Sequence, residues 1–205
     1  MPRSLERGEF LNLAAVFQGG LVVLALVLAW LAGFNPMENF RWSWTGLAWG
    51  TLAALPILAL FTLSDWFRSR SIVTEFLAPL LAGCRWHELA GLAVLAGISE
   101  ELLFRGVLQP WIGRWGQTAG LVGSNLIFGL AHCITPTYAV VAGLVGVYLG
   151  LLLELEGEAN LLIPITTHAV YDFLAFAIVV REYRRGLASG SQGESPENGP
   201  EPESL

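Results

Sequence analysis

The chain has 205 residues, 54% of them hydrophobic and 14% charged, with a mean hydropathy of +0.58 and a formal net charge of -6. A composition this apolar is that of a membrane protein and excludes an ordinary water-soluble domain. The charge balance leaves no basic patch for nucleic acid, and Glu194, Glu197, Glu201 and Glu203 in the C-terminal tail supply four of the negatives.

In chain order, the first apolar run, Phe10 to Phe34, carries no charge. It is long enough to cross about 30 Å of hydrocarbon at about 1.5 Å per helical residue. It exceeds the apolar region of a signal peptide and lacks a clear small-x-small cleavage site, so it reads as a retained helix. Trp44 to Leu63 is a second uncharged span. The stretch "SIVTEFLAPLLAG", Ser71 to Gly83, is too short and interrupted to cross, which places it at the membrane surface or in a re-entrant position. A third span runs from about Leu89 to Trp111. Between Trp115 and Leu153 the only strongly ionisable side chain is His132, and the run accommodates two spans broken at "CITPT", where Pro136 cannot continue a helical hydrogen-bond ladder. A last span covers about Leu161 to Val180.

These elements predict an all-α, polytopic membrane bundle of about six transmembrane helices over residues 1–185. The tail, 186–205, is Gly, Ser, Pro, Glu and Asn with almost nothing apolar, and is expected to be disordered. All 11 basic residues are arginine. With six spans, Arg3, Arg7, Arg68, Arg70, Arg85, Arg181, Arg184 and Arg185 fall on the side of the N-terminus, against Arg41 and Arg114 opposite, which predicts that both termini are cytoplasmic. The absence of lysine and the abundance of Gly, Ala, Leu and Trp suggest a bacterial inner membrane. Trp30, Trp42, Trp44, Trp66, Trp86, Trp111 and Trp115 fall near span ends, as interfacial anchors do. Cys84 and Cys133 read as small apolar residues rather than a disulfide or a nucleophile. Gly146 and Gly150 form a small-xxx-small pair suited to close helix packing.

An ionisable side chain at mid-membrane costs about 2.5 to 3.5 kcal/mol, so each one needs a partner or a task. Here they are Glu100, Glu101, Arg105, His132, His168 and Asp172, on three different predicted helices. At about 100° per residue, Glu101 and Arg105 share a face while Glu100 points well away from the arginine. Asn125, Phe128 and His132 line one stripe of the second helix. On the third, His168 and Asp172 are four residues apart, where a carboxylate can hold an imidazole. If the three faces converge, they enclose a glutamate, two histidines and an aspartate around a small wet cavity able to move protons.

The segments "EELLFR" (Glu100 to Arg105), "FGLAH" (Phe128 to His132) and "HAVYD" (His168 to Asp172) reproduce, in order and on separate apolar spans, the motifs EExxxR, FxxxH and HxxxN or HxxxD. In this the chain resembles the CPBP family, the CAAX prenyl protease and bacteriocin-processing group also called the ABI family of intramembrane proteases. The resemblance covers about Ala90 to Phe176. It implies an intramembrane endopeptidase of glutamic type, in which Glu100 activates water with the help of His132, and His168 and residue 172 stabilise the oxyanion. Glu101, Arg105, Asn125 and Phe128 are then supports of the site. Asp172 departs from the prenyl protease branch, which has asparagine there; an ionised aspartate only accepts hydrogen bonds, so Asp172 is expected instead to orient His168 and keep it charged.

The implied partners are the lipid bilayer and a membrane-embedded or membrane-associated peptide or protein. No cofactor is required. Zinc remains an alternative, because Glu100, His132, His168 and Asp172 are all competent ligands, although "HELAG" at His87 lacks the second histidine of HExxH. A non-proteolytic membrane partner or proton-coupled carrier would use the same buried charges.

Overall fold

The computed structural model describes residues 6–63 and 77–192 of the chain. The described residues are helical, with no strand among them. Six long helices occupy the six expected stretches: α1 (Arg7–Ala32), α2 (Trp44–Leu63), α3 (Trp86–Leu103), α4 (Gln117–Ala131), α5 (Pro136–Leu152) and α6 (Leu162–Gln192). Three segments, Arg7–Ala32, Trp44–Thr62 and Leu162–Leu187, are long and apolar enough to cross a membrane. A shorter helical piece at 77–82 buries Ala78 and Leu81; the rest of the segment expected to lie at the surface or re-enter is outside the described residues, as is Trp66.

Helix boundaries follow local chemistry. Gly33 closes α1 in the left-handed region (φ 76°), and its N–H and that of Phe34 both return to Ala29 O, the geometry glycine reaches without strain. Pro136 starts α5 rather than interrupting it: as a first-turn residue it needs no amide hydrogen, and Thr135 caps the helix by accepting from Tyr138 N at 3.1 Å. The last helix runs through Gly186 to Gln192, past the boundary that composition suggests; residues 193–205 lie outside the described part.

The bundle is inside-out relative to a soluble protein. Leu13, Val16, Phe17 and Val23 on α1, Val122, Leu126 and Leu130 on α4, and Val140 and Leu144 on α5 are exposed, whereas Glu101, Arg105, Ser124 and Asn125 are buried. Apolar side chains turned outward are stable when the surroundings are hydrocarbon, and polar groups then gather where they can bond to each other. Trp30, Trp42, Trp44, Trp86 and Trp115 are exposed and Trp111 is half-buried. In the interior α3 packs on α6 and on α1, α2 on α6, and α4 on α5.

Inter-helix hydrogen bonds fix these contacts. Ser99 Oγ donates to Gln18 Oε1 (2.5 Å) between α3 and α1, and Thr167 Oγ1 donates to Gly50 O (3.0 Å) between α6 and α2. Tyr148 Oη donates to Ala53 O (3.0 Å) between α5 and α2. At one end of the bundle Asn160 joins two loops, its Oδ1 accepting from Arg41 N at 3.3 Å and from Leu162 N at 3.1 Å. Gly146 and Gly150 admit the side chains of α4: a Cβ on Gly146 would lie 2.4 Å from Asn125 Oδ1, and one on Gly150 would lie 2.6 Å from Leu121 Cδ1. The close packing expected of this pair is what the fold uses.

Candidate active site

Three helices bring the expected residues together. Glu100 and Glu101 lie in the last turn of α3, just before a π-helical turn at Phe104–Leu108 that carries Arg105. Such turns close through i to i+5 bonds and frequently mark functional sites. Asn125, Phe128 and His132 descend from α4, and His168 and Asp172 come from α6.

Glu101 and Arg105 form the pair that helical spacing predicts, with Arg105 Nη1 donating to Glu101 Oε1 at 3.0 Å and both side chains fully buried. The arginine's other arm reaches α4 and α5: Nη2 donates to Asn125 Oδ1 at 2.8 Å and to Gly146 O at 2.5 Å. Asn125 Nδ2 in turn donates to Leu121 O at 2.7 Å, so its amide is held in one orientation. The guanidinium also sits 5.0 Å above the Phe128 ring, a cation–π contact that makes Phe128 part of this knot as well as a packing residue.

The same Glu101 oxygen accepts from His168 Nδ1 at 2.7 Å. This corrects the expectation that Asp172 orients His168. Asp172 Oδ2 is 3.6 Å from Nε2, beyond a direct hydrogen bond, and the carboxylate that fixes the ring comes from α3 rather than from the histidine's own helix. Helical spacing within α6 correctly brings Asp172 near His168 but cannot weigh it against a carboxylate arriving from elsewhere. Tyr171 stacks on the other side of the ring, with centroids 5.0 Å apart.

Glu100 faces away from the arginine. Its Oε2 is 3.5 Å from His132 Nε2 and 3.9 Å from His168 Nε2, and has no hydrogen-bond partner among the described residues. His132 Nδ1 lies 2.9 Å from Phe128 O. A carbonyl only accepts, so Nδ1 carries the hydrogen, and Nε2 is the ring nitrogen turned toward Glu100. The ring is further held by stacking on Phe128 at 4.3 Å.

Glu100, His132, His168 and Asp172 open together into a cavity of about 250 Å³, walled otherwise by apolar side chains of α2, α5 and α6. Tyr138 and Tyr171 complete its polar lining. Neither was singled out by motif spacing, although Tyr171 lies inside "HAVYD". Among the described residues no group of three or more His, Cys, Asp or Glu is arranged to hold a metal ion.

The family model described as Type II CAAX prenyl endopeptidase Rce1-like matches residues 83–174, which include all three motifs. The chain is 32% identical over 146 residues to an uncharacterized protein, YpbD, of Bacillus subtilis (strain 168), covering 71% of this chain and 72% of that protein. No solved structure matches.

Proposed function

Given that the chain belongs to the CPBP family of CAAX protease-like membrane enzymes, we propose that it is an intramembrane endopeptidase in which Glu100 and His132 activate a water molecule. One observation carries this reading: Glu100 Oε2, which has no hydrogen-bond partner among the described residues, and His132 Nε2 face each other at 3.5 Å at the cavity. With the carboxylate ionised and the ring neutral both atoms are acceptors, and two acceptors cannot satisfy each other. A water satisfies both by donating one hydrogen to each, and that water is thereby held with its oxygen lone pairs turned into the cavity.

In the proposed reaction Glu100 takes a proton from the water as its oxygen adds to the scissile carbonyl carbon. His168 has its Nδ1–H committed to Glu101, so the imidazolium form presents Nε2–H to the developing oxyanion, as a preorganised donor in a water-poor site. Collapse of the tetrahedral intermediate releases the amine, which receives the proton from Glu100. Asp172 Oδ2, 3.6 Å from Nε2, places a negative charge beside that imidazolium in the resting site. Every step uses side chains alone, with no metal. The substrate is a membrane-embedded or membrane-associated protein, the apolar walls accepting its chain.

The test is cleavage of prenylated and unprenylated CaaX peptides in proteoliposomes made in ¹⁸O water, with products read by mass spectrometry. The expected result is one ¹⁸O in the new carboxylate, about 10²- to 10⁴-fold less product with Glu100→Gln, and no effect of a chelator. Loss of activity on chelation, restored by zinc, would overturn the glutamic mechanism in favour of a metal-bound water. Stable association with a membrane protein that is never cut would overturn the enzymatic reading itself.

A further inference from the structure

We propose that Arg7, Arg85 and Arg184 form a binding site for the phosphate of an anionic phospholipid at the end of the bundle where α1 and α3 begin and α6 ends. A second cavity, of about 430 Å³ and separate from the active site, is lined by these three arginines together with Trp86, Leu89 and Val180. The arginines arrive from three different helices. Arg7 opens α1, Arg85 immediately precedes α3, and Arg184 projects from the last turns of α6, where its Nη2 donates to Ala82 O at 2.7 Å and is held beside the cavity.

Like charges converging on one space repel unless an anion joins them. Glu88 offsets part of the charge: its Oε1 lies 3.7 Å from Arg7 Nη2, and its Oε2 accepts from Arg85 N at 2.7 Å. That main-chain bond, opposed by burial and aided by Arg7, holds the Glu88 carboxyl below its ordinary range, so the glutamate is charged and already engaged. Among the described residues, the lining of the cavity itself carries the three arginines and no carboxylate. The start of α3 adds its own contribution, because the first N–H groups of a helix have no acceptor within it and carry the positive end of the dipole.

The position of the cavity selects lipid over soluble phosphate. Arg7 is the first residue of one candidate span and Arg184 lies in the last turn of another, Leu162–Leu187, so both sit at the level of lipid headgroups. The floor, Leu89 and Val180, is buried and apolar, and Trp86, 57% exposed, stands at the rim as tryptophans do at a membrane interface. A cavity with a basic mouth, an apolar floor and an interfacial tryptophan matches a headgroup phosphate with its first acyl carbons, and clusters of arginine between spans recognise anionic lipid in this way.

The experiment uses the full chain in a neutral detergent. Binding is read by native mass spectrometry and by the thermal midpoint as phosphatidylglycerol, phosphatidylcholine or inorganic phosphate is added. Phosphatidylglycerol is expected to bind and to raise the midpoint, phosphatidylcholine to do so more weakly, and inorganic phosphate at the same concentration to do little. Each Arg→Gln change should weaken phosphatidylglycerol binding about fivefold. The triple Arg→Lys variant should retain more of it than the triple Arg→Gln variant, and Glu88→Gln, by freeing Arg7, should tighten it. If the triple glutamine variant does not fold, the single Arg85→Gln change at an exposed side chain carries the test. Equal binding of the two lipids, or phosphatidylglycerol binding unchanged by Arg85→Gln, would overturn the site. Competition by inorganic phosphate at equal concentration would overturn its assignment to lipid.

Discussion

Glu100 and Glu101 are neighbours on one helical turn, and the regions they face could hardly differ more. On the Glu101 side, Arg105, Asn125, His168 and the Gly146 carbonyl are joined by direct bonds of 2.5 to 3.0 Å, and Glu101 and Arg105 are completely buried. On the Glu100 side the separations are 3.5 to 3.9 Å, and the side chains of Glu100, His132 and Asp172 are 11%, 30% and 19% exposed. The first region is closed by direct bonds, although Glu101 Oε2 and Arg105 Nε have no hydrogen-bond partner among the described residues, and the second is held open. A directly bonded, fully buried knot fixes helices against each other and gives a substrate no access, whereas groups held just out of mutual reach beside a cavity can receive one. His168 belongs to both: its Nδ1 is spent in the knot and its Nε2 faces the cavity. Rigidity on one edge of the ring is how the other edge acquires a defined direction.

The sharpest way to break this comparison is to remove the base. Glu100→Gln is expected to reduce cleavage by about 10²- to 10⁴-fold while leaving the thermal midpoint in detergent unchanged or slightly higher, since a costly buried carboxylate is lost. A stable variant that still cuts at the wild-type rate would end the assignment. Next in size, Glu101→Gln leaves Arg105 short of its counter-ion, a loss of about 3 to 5 kcal/mol for a buried pair broken on one side. Combining it with Arg105→Leu should restore much of the stability measured by denaturation. Cleavage should stay low in the double variant, because a neutral amide accepts from His168 Nδ1 more weakly than the carboxylate and no longer supports the charged ring. Recovery of both properties together would show that Glu101 serves the arginine alone.

Smaller effects probe the edges of the two regions. Gly146→Ala would set a methyl 2.4 Å from Asn125 Oδ1 and 3.2 Å from Arg105 Nη2, and is expected to lower stability by about 1 to 3 kcal/mol as the knot is pushed apart. An unchanged midpoint would mean that α5 can shift freely. Asp172→Asn should have the mildest consequence, with at least a tenth of wild-type kcat retained, whereas Asp172→Leu should be inactive. Equal and complete inactivation by both would show that the negative charge of Asp172 is itself required.

How much of this is legible from residues alone varies with the range of the interaction. The helices and the positions of the three motifs can be read because hydropathy and i, i+4 spacing are local, and the Glu101–Arg105 pair is local in the same sense. The Glu101–His168 bond spans 67 residues of sequence and depends on how α3 packs against α6, which no spacing rule contains. For the same reason spacing points to Asp172, near in sequence, as the partner of His168. Tyr138 entered the cavity lining unforeseen because Pro136 sets where α5 begins and therefore which way its first turn faces. Gly146 was recognisable as a packing residue, but the arginine that its carbonyl receives was not.

The π-helical turn at Phe104–Leu108 has a consequence for insertions and deletions. Its i to i+5 closure, seen in the bond from Gln109 N to Phe104 O, takes one residue more than an α turn, so the chain holds a spare residue there. Removing Leu108 would let the turn relax to α without swinging the following segment off its face. Removing Ala93, in the regular part of α3, would instead turn the preceding half of the helix by about 100° relative to Glu100. Of the whole third helix, the few residues just past the glutamates are thus where the chain can change length and keep its register.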